Sequence, residues 1–346
     1  MALIMVMIAV AVFSSLAAVL LASMKVETEL ARHADNEQQL LWLGRSGVEY
    51  ARWILSQHPV NEPYDSLNQI WAGGPGGSGE TNSALTGVSM DNYQVGDGTI
   101  SVKIIDLERK MNVNTANAPE LQQVLTVMGV NADEMSVVSD SILDWRDTDD
   151  AQHIAGAESD YYQGLSPPYY AKNAPFDSLA ELLFVKGVTP EMYWGGSATN
   201  HTPGTFQKPK LGFGTAPGET PDYPFGLSDI MTPFSNGKIN VNTADANVLQ
   251  TIPNVDATTA ESIIKYRAGP DGAEATEDDT PFRNTQQLNA AGVSSALVSQ
   301  ISNYVTVSSS TFEVHVTARV GDSTREYSAI LYRNGNTIQV VSFWWK

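Results

Sequence analysis

Two short acidic runs hold the side chains of this sequence that are best able to do chemistry. The first run, "DWRDTDDAQHIAGAESD", contains one Arg against six acidic residues, which are Asp144, Asp147, Asp149, Asp150, Glu158 and Asp160. The second run, "GPDGAEATEDD", contains no basic residue and five acidic ones, which are Asp271, Glu274, Glu277, Asp278 and Asp279. Carboxylates packed this densely repel one another, so the pattern predicts either a bound cation or a loop open to water.

Calcium is the cation that suits such runs best. It takes six to eight oxygen ligands in flexible geometry, and backbone carbonyls count among them. The predicted ligands of the second run are Asp271, either Asp278 or Asp279, Glu277 as a further candidate, and a backbone carbonyl near Ala273 or Ala275. In the first run all six acidic residues are candidates.

Composition limits the classes of function. The chain of 346 residues carries 20 Lys plus Arg against 39 Asp plus Glu, and the formal net charge of −19 repels the phosphates of nucleic acid. It contains no cysteine, which excludes disulfides, thiolate zinc sites and cysteine nucleophiles. Its five histidines lack the H-x-x-x-H spacing of zinc proteases, and the chain has no G-x-S-x-G. We therefore expect no enzymatic function.

The elements that position the acidic runs begin with one long N-terminal helix. The first 24 residues contain no charged side chain, and as a helix of about 36 Å they would cross the hydrocarbon core of a membrane. A cleaved secretory signal is the alternative, but the apolar run is too long and no basic segment precedes it. The missing basic flank predicts that a short leader ahead of Met1 has been removed or lies outside this numbering. Without a proline before Pro59, the helix is expected to continue to Gln57.

Strand patterns lie on both sides of a helical region. "GTISVKIIDLER" alternates as a strand does, and "TFEVHVTARV", "TREYSAILYR" and "TIQVVSFWWK" close the chain, joined by the hairpin residues "GDS" and "NGN". Between Asn112 and about Val305 the sequence is typical of helices and loops. We predict an α+β fold in which one small antiparallel sheet is interrupted by a large helical insertion.

The insertion contains one phrase twice. "NVNTA" begins at Asn112 and again at Asn240, each time before a helical pattern. We expect the Thr of each copy to cap the following helix, and the apolar residues beside it to anchor the phrase in the core. Each copy would then open a helical hairpin. The rival interpretation is a DNA-binding helix-hairpin-helix, but "IPNVDA" and "VMGVNAD" lack most glycines of the L-P-G-I-G turn that meets phosphate.

An ordered set of motifs carries a family resemblance. In chain order they are the charge-free opening helix, "LWLGRSGVEYARWIL", "DWRDTDD", "GAESDYY", "FDSLAELLFVKGVTPEMY" and "GKINVNTADANVL". With them the chain resembles the type II secretion system protein K family, the large minor pseudopilins, over nearly its whole length. The resemblance implies a pilin-like helix, a small antiparallel sheet, and a helical (helix-hairpin, SAM-like) domain inserted between the first strand and the others. Most pseudopilins carry a glutamate at the fifth position, and Met5 fits protein K, whose members lack it.

The expected domain boundaries combine the patterns with this resemblance. Residues 1–24 would form the transmembrane helix and residues 25–58 its periplasmic extension. Residues 59–111 and 305–346 would form the two parts of a pilin-like head. The inserted domain would cover residues 112–304, as modules of residues 112–194 and 238–304 joined by a Gly- and Pro-rich loop of residues 195–237.

The resemblance also implies a function, partners and a cofactor. The chain would cap the tip of the pseudopilus and help to export folded proteins, with a single span in the inner membrane and its soluble part in the periplasm. Other minor pseudopilins would be its partners, with secreted substrates or the outer-membrane channel as further candidates and no nucleic acid. One or two calcium ions are expected, and the second acidic run is favoured over the first. The alternative function is that of a membrane-anchored helix-hairpin-helix protein that binds or takes up DNA.

The partner surface is expected on the long helix. Its heptad stripe is wider than one small sheet should need, so part of it is predicted to pack against helices of two other minor pseudopilins. The residues of this stripe are Leu30, Ala34, Leu41, Val48 and Leu55.

Overall fold

The structure, a computed structural model, describes residues 2–57, 62–76, 84–195, 223–335 and 337–345. The predicted helix end at His58 and Pro59 and most of the predicted loop of residues 195–237 lie outside the described residues. The helices are α1 (Ala2–Ser56), α2 (Ala118–Met128), α3 (Ala132–Arg146), α4 (Ser159–Gln163), α5 (Pro190–Trp194), α6 (Leu227–Ile230), α7 (Ala246–Leu249), α8 (Ala257–Arg267) and α9 (Ser295–Ile301). Short 3₁₀ helices form at Ile70–Ala72, Leu179–Phe184 and Thr285–Ala291. The strands are β1 (Tyr93–Val95), β2 (Gly98–Asp106), β3 (Met111–Asn112), β4 (Met231–Thr232), β5 (Ile239–Asn240), β6 (Val305–Thr306), β7 (Thr311–Val320), β8 (Ser323–Asn334) and β9 (Thr337–Trp345).

Helix α1 has an exposed half and a packed half. Over its 55 residues it extends about 80 Å, and it is long and apolar enough by length and composition to cross a membrane. Its first part is exposed, whereas from Leu40 onward it buries a stripe against the sheet. The buried residues of this stripe are Leu40, Leu43, Val48, Ala51, Ile54 and Leu55.

The sheet has the strand order β1-β2-β7-β8-β9 and is antiparallel throughout. Alternate residues of β2 and β7, such as Val102 and Val316, face α1 and form one hydrophobic core with it. The insertion leaves β2 and returns to β7, its neighbour in the sheet. The predicted α+β fold with its helical insertion is therefore confirmed, and the short strand β1 is an addition that the sequence patterns did not predict.

Two glycines let α1 lie directly on the sheet. A Cβ atom at Gly47 would lie 2.3 Å from Cγ1 of Val316, and one at Gly44 would lie 2.4 Å from Cδ2 of Tyr327. Both distances are far below a van der Waals contact. Glycine at these positions in the "LGRSG" segment thus sets the spacing between helix and sheet.

The insertion has its own hydrophobic core and two small parallel strand pairs. Met111 of β3 pairs with Met231 of β4, and Ile239 of β5 pairs with Val305 of β6. Strand β4 and helix α6 belong to the first module. The prediction of a loop over residues 195–237 was therefore wrong for residues 227–232. Its short apolar run, with Met231 buried, was hidden by the surrounding glycines and prolines.

The predicted helix caps were also wrong. The side chains of Asn117 and Asp245, two residues later than the predicted Thr caps, accept backbone N–H groups at the starts of α2 and α7. Thr115 and Thr243 lie outside these helices, and Thr243 donates its hydroxyl to a carboxylate of Asp106 instead. The expectation that apolar residues anchor the phrase is confirmed, because Val113 and Val241 are fully buried, as their neighbours in β3 and β5 nearly are.

A buried polar network closes the junction between sheet and insertion. Oδ2 of Asp106, at the end of β2, accepts hydrogen bonds from Oγ of Ser309 (2.6 Å) and Nδ2 of Asn240 (3.1 Å). Oδ2 of Asp65 accepts one from the backbone N–H of Ser309 (2.7 Å) and pairs with Arg333 of β8. Burial, with the charges of nearby carboxylates, raises the pKa of Asp106 to about 8.

The close approach at Gly47 yields a test of the fold. Gly→Ala in a helix interior normally stabilises by about 1 kcal/mol, but here the added methyl meets Val316, so we expect Gly47→Ala to lower the free energy of unfolding by roughly 1–3 kcal/mol. Thermal unfolding of the full chain in detergent micelles measures the change. Ser46→Ala, one residue earlier, is the control and should stay within about 0.5 kcal/mol of wild type. A stabilised Gly47→Ala variant would contradict this packing.

Candidate functional site

The two modules of the insertion repeat the same side-chain contacts. In the first, Asn114 accepts the backbone N–H of Phe176 (2.7 Å) and donates to its carbonyl (3.0 Å). In the second, Asn242 accepts the backbone N–H of Phe282 (2.8 Å) and donates to its carbonyl (2.9 Å). The second Asn of each "NVNTA" phrase therefore forms two hydrogen bonds with the backbone of a Phe that lies near the end of its own module.

An arginine at the end of the longer helix is repeated in the same way. Arg146, the last residue of α3, donates to the carbonyl of Val113, and Arg267, the last residue of α8, donates to the carbonyl of Val241 (2.6 Å). The first acidic run begins two residues before Arg146 and the second begins two residues after Arg267, and both precede the Phe of their module, so the two runs occupy similar positions. This equivalence was missed from the sequence, although "FDSLAELLFVKGVT" and "FRNTQQLNAAGVSS" carry its signal.

In the first module the acidic side chains converge at one place. Ligand atoms of Asp144, Asp147 and His153 lie within 4.8 Å of one another, and so do those of Asp147, Asp149 and Glu158. The end of α3 supplies Asp144, the following loop supplies the next residues, and Glu158 directly precedes α4. Asp144 is fully buried, and its Oδ1 accepts the backbone N–H of His153 (3.0 Å).

Several oxygens of this cluster are buried without a donor. Within the described part of the chain, no hydrogen-bond donor reaches Oδ2 of Asp144, Oδ1 of Asp147 or either carboxylate oxygen of Glu158. The same holds for Oδ1 of Asn173, whose amide donates to the carbonyl of Asp149 (3.1 Å). Buried carboxylate oxygens without partners are unfavourable, and a hard cation would supply what they lack.

The electrostatics of the cluster agree with this geometry. Burial, followed by the charges of Asp144 and Asp147, raises the pKa of Glu158 to about 7. Burial, followed by the charges of Asp149 and Asp144, also raises the pKa of Asp147. The protein alone therefore disfavours the ionised cluster, which a positive ion would stabilise.

The structure places the other predicted residues of the first run outside the cluster. Oδ1 of Asp150 accepts the amide of Asn173 (3.0 Å), and Asp160 is exposed in the first turn of α4. Four of the six predicted carboxylates are thus brought together. His153, which sequence reasoning did not propose, joins them.

The second run forms a different structure. Its carboxylates mostly accept backbone N–H groups of the same loop: Asp271 from Ala273 (2.8 Å), Asp278 from Asp271 (3.1 Å), and Asp279 from Ala275 (2.9 Å). Glu274 pairs with Arg267, while Glu277 is exposed, as are Asp271 and Asp278. The geometry favours the first run as the cation site, the reverse of the order expected from the sequence.

The predicted partner stripe on α1 needs a correction. Val48 and Leu55 are buried against the sheet of their own chain, so they cannot contact a partner, and Leu41 is half-buried against the same core. Leu30 and Ala34 are exposed and remain predictions. Two tryptophans near the stripe are exposed on the outer face of the helix: Trp42 is 64% exposed and Trp53 is 39% exposed.

Two family models match the insertion. Residues 101–194 match the model described as type II secretion system (T2SS), protein K, and residues 235–306 match the helix-hairpin-helix motif. The two matches correspond to the two modules described above.

Curated relatives and one solved structure point the same way. Type II secretion system protein K of Aeromonas hydrophila is 25% identical over 213 residues, 56% of this chain and 60% of the relative. That of Pseudomonas aeruginosa is 24% identical over 231 residues, 64% of this chain and 56% of the relative, so the chain spans less than two thirds of these relatives' length. The crystal structure of the GspK-GspI-GspJ complex from the enterotoxigenic Escherichia coli type 2 secretion system contains a chain with the same fold. Its TM-score is 0.65 at 20% identity, over 91% of this chain and 99% of that one. Family model, relatives and fold confirm the resemblance that the motifs indicated, to the type II secretion system protein K family.

Proposed function

We propose that this chain is a minor pseudopilin of a type II secretion system, anchored in the inner membrane with its soluble part in the periplasm. The observation that carries the proposal is the division of α1. Residues 2–24 are apolar and exposed on all sides, whereas the second half packs on a small antiparallel sheet. Such a helix can lie in a membrane, or among helices of other subunits, while the sheet stays in water.

The proposed partners are other minor pseudopilins. The solved relative is a complex of three chains, GspK, GspI and GspJ, which supports an equivalent hetero-complex here. Trp42 and Trp53 lie on one face of α1, because 11 residues make about three turns. Arg45 stacks over Trp42 at 5.3 Å from the ring centroid. Exposed tryptophans flanked by an arginine are typical of interface hot spots.

The proposed place is the tip of the fibre. A helical domain of two modules is inserted between the adjacent strands β2 and β7 of a small head. Its bulk supports a terminal position because it would obstruct a subunit stacked above. The first 24 residues agree with this place, since they contain no carboxylate that could pair with the N-terminus of a neighbour.

The helix-hairpin-helix alternative is weakened by an acidic cap. Asp256 precedes α8 in the second module, and its carboxylate accepts the backbone N–H of Thr259 (2.8 Å). Hydrogen bonds from the side chain and then the backbone of Thr259 lower the pKa of Asp256, so the negative charge is held where a phosphate would bind. We therefore prefer the pseudopilin role to DNA binding.

We also propose that the first acidic run binds calcium. Asp144, Asp147, Asp149 and Glu158 would hold the ion, since their oxygens converge and several lack donors. A bound calcium would neutralise the cluster and link the end of α3 to the start of α4. Two hydrogen bonds of this chain already hold the loop. The backbone N–H of His153 donates to the side chain of Asp144, and the side-chain amide of Asn173 donates to the carbonyl of Asp149.

The partner surface can be tested by substitution. We expect Trp42→Asp to abolish co-purification of the full chain with the other minor pseudopilins, because it puts a charge into the proposed apolar contact. Its melting temperature should stay close to wild type, as Trp42 is exposed. Val341→Asp, at a similarly exposed position of β9, is the matched control and should retain the complex. Retention of the complex by Trp42→Asp would assign the contact to another surface.

Calcium binding can be tested by thermal unfolding of the full chain. With a dissociation constant on the order of 10⁻⁴ M, millimolar calcium should stabilise the fold by roughly 1–3 kcal/mol, with a much smaller effect of magnesium. Asp149→Asn should remove most of this response. Asp278→Asn combined with Asp279→Asn should leave it intact, and the opposite pair of results would move the site to the second run.

The raised pKa of Glu158 predicts a pH dependence. Because its folded-state pKa of about 7 exceeds its ordinary value of 4.5, the folded state binds an extra proton between these values, and stability falls as pH rises through this window. In chelator, Glu158→Gln should therefore lose less stability than wild type between pH 4.5 and pH 7. Excess calcium should shrink the difference between the two proteins. Identical profiles in chelator would contradict the burial of this carboxylate.

A further inference from the structure

The first module of the insertion exposes a group of apolar side chains that the proposed roles do not use. Ile154 is fully exposed, Tyr170 is 71% exposed and Phe184 is 55% exposed. The group, called the aromatic patch below, consists of Ile154, Tyr161, Leu165, Tyr170, Leu183 and Phe184. Apolar side chains that are exposed together, rather than singly, mark interaction surfaces.

The aromatic patch rests on a rigid base of stacked rings. Tyr162 is fully buried and stacks on Tyr169 with ring centroids 5.2 Å apart, while Tyr161 packs edge-on against Tyr162 at 5.2 Å. Phe184 packs edge-on against Tyr169 at 5.8 Å, and the hydroxyl of Tyr169 donates to the carbonyl of Phe184 (2.8 Å). Trp145 lies edge-on to Tyr162 at 5.3 Å. Because these rings are fixed, a partner that docks here loses little conformational entropy in ordering them.

The second module shows that the fold does not require apolar residues at these positions. The 3₁₀ helices of both modules bury an equivalent leucine, Leu182 in the first and Leu288 in the second. The next two residues are Leu183 and Phe184 in the first module but "NA", residues 289–290, in the second, and these too are exposed. The second module thus folds with polar or small residues at the positions that belong to the patch in the first module. The apolar residues of the aromatic patch are therefore not required for folding.

The charge around the aromatic patch indicates the chemistry of its partner. Residues 147–186 contain seven acidic and two basic side chains, a formal net charge of −5, which a divalent cation would change only to −3. Both lysines are engaged: Lys172 with Asp177 and Glu181, and Lys186 with backbone carbonyls of the acidic run while it lies 5.0 Å from the ring of Tyr161. The rim is therefore complementary to positive charge and repels anionic lipid headgroups.

We propose that the aromatic patch is a docking site for a protein segment that presents an apolar anchor flanked by Lys or Arg. Leu183 and Phe184 receive the anchor, and the exposed carboxylates of Asp150 and Asp160 face the basic flanks. This surface lies on the insertion, apart from the tryptophan face of α1. Its failure in a test would leave the proposed pseudopilin role untouched.

Short synthetic peptides provide the probe. One has an apolar Leu-Trp-Leu centre with Lys flanks, the second has the same centre with Glu flanks, and the third has Lys flanks around a Ser-Gly-Ser centre. Binding is measured by fluorescence anisotropy with the full chain in zwitterionic lipid nanodiscs at about 0.15 M salt, where distant surface charges are screened. The first peptide should bind at least about tenfold more tightly than either of the others.

Variants locate the binding surface on the chain. Leu183→Asn combined with Phe184→Ala copies the second module and should weaken binding of the first peptide by about tenfold or more. Tyr170→Ser is a second patch variant at a more exposed position, which keeps the test informative if the double variant folds poorly. Val341→Ser, as exposed as Phe184 but on the sheet edge, is the matched control and should bind as wild type does.

Three results would overturn the proposal. The first is equal binding of the first peptide to wild type and to both patch variants. The second is equal binding of the two peptides with apolar centres, which would remove the role of the acidic rim. The third is self-association of the full chain that the patch variants abolish while no peptide binds, which would assign the surface to a second copy of this chain.

Discussion

The chain leaves the sheet at the end of β2 and returns to it at the start of the neighbouring strand β7. The structure of this protein depends on the interactions that hold these two strand ends to the inserted domain. Asp106 at the end of β2 lies opposite Phe312 at the start of β7, so the whole inserted domain is connected to the sheet through two adjacent strand ends. The network of Asp65, Asp106, Ser309 and Arg333 fills this junction. Breaking a buried charge pair typically destabilises by about 3–5 kcal/mol, which makes the junction a strong constraint.

The junction also connects the repeated phrase to the sheet. Asn240 and Thr243, from the second "NVNTA" copy, both donate to Asp106. Among the described residues the first copy makes no such contact with Asp106, and Thr115 at the position equivalent to Thr243 is exposed. The repeated phrase thus has two structural roles. In both modules its second Asn forms hydrogen bonds with the backbone of a Phe near the end of the module, and in the second module the phrase also connects the insertion to the head.

The two modules show how one scaffold acquires different surfaces. Both contain the Asn side chain that is hydrogen-bonded to the backbone of a Phe, and both have an Arg as the last residue of the longer helix. In the first module the acidic run turns inward, so Asp144 is buried with an oxygen that lacks a donor among the described residues. In the second, Asp271 and Asp278 turn outward and accept backbone N–H groups. The aromatic patch is likewise confined to the first module.

Periodicity and motif order were enough to predict the sheet, the long helix and the insertion, because each depends on local patterns of apolar residues. The candidate site was harder to predict. Counting carboxylates ranked the second run first, since a sequence does not show which oxygens find backbone donors. The heptad stripe assigned Val48 and Leu55 to a partner, because periodicity finds an apolar face without showing what covers it. Asn117 and Asp245 replaced the expected Thr caps because each helix begins two residues later than the phrase suggested.

The central claim is that this chain terminates a pseudopilus, and its position in an assembled fibre tests that claim most directly. The chain has no cysteine, so Gln122→Cys, at an exposed site on α2, gives a single attachment point for a gold label. Electron microscopy of fibres assembled with the labelled chain should then show one label at one end of each fibre. Labels distributed along the fibre, or fibres without label at either end, would contradict the account.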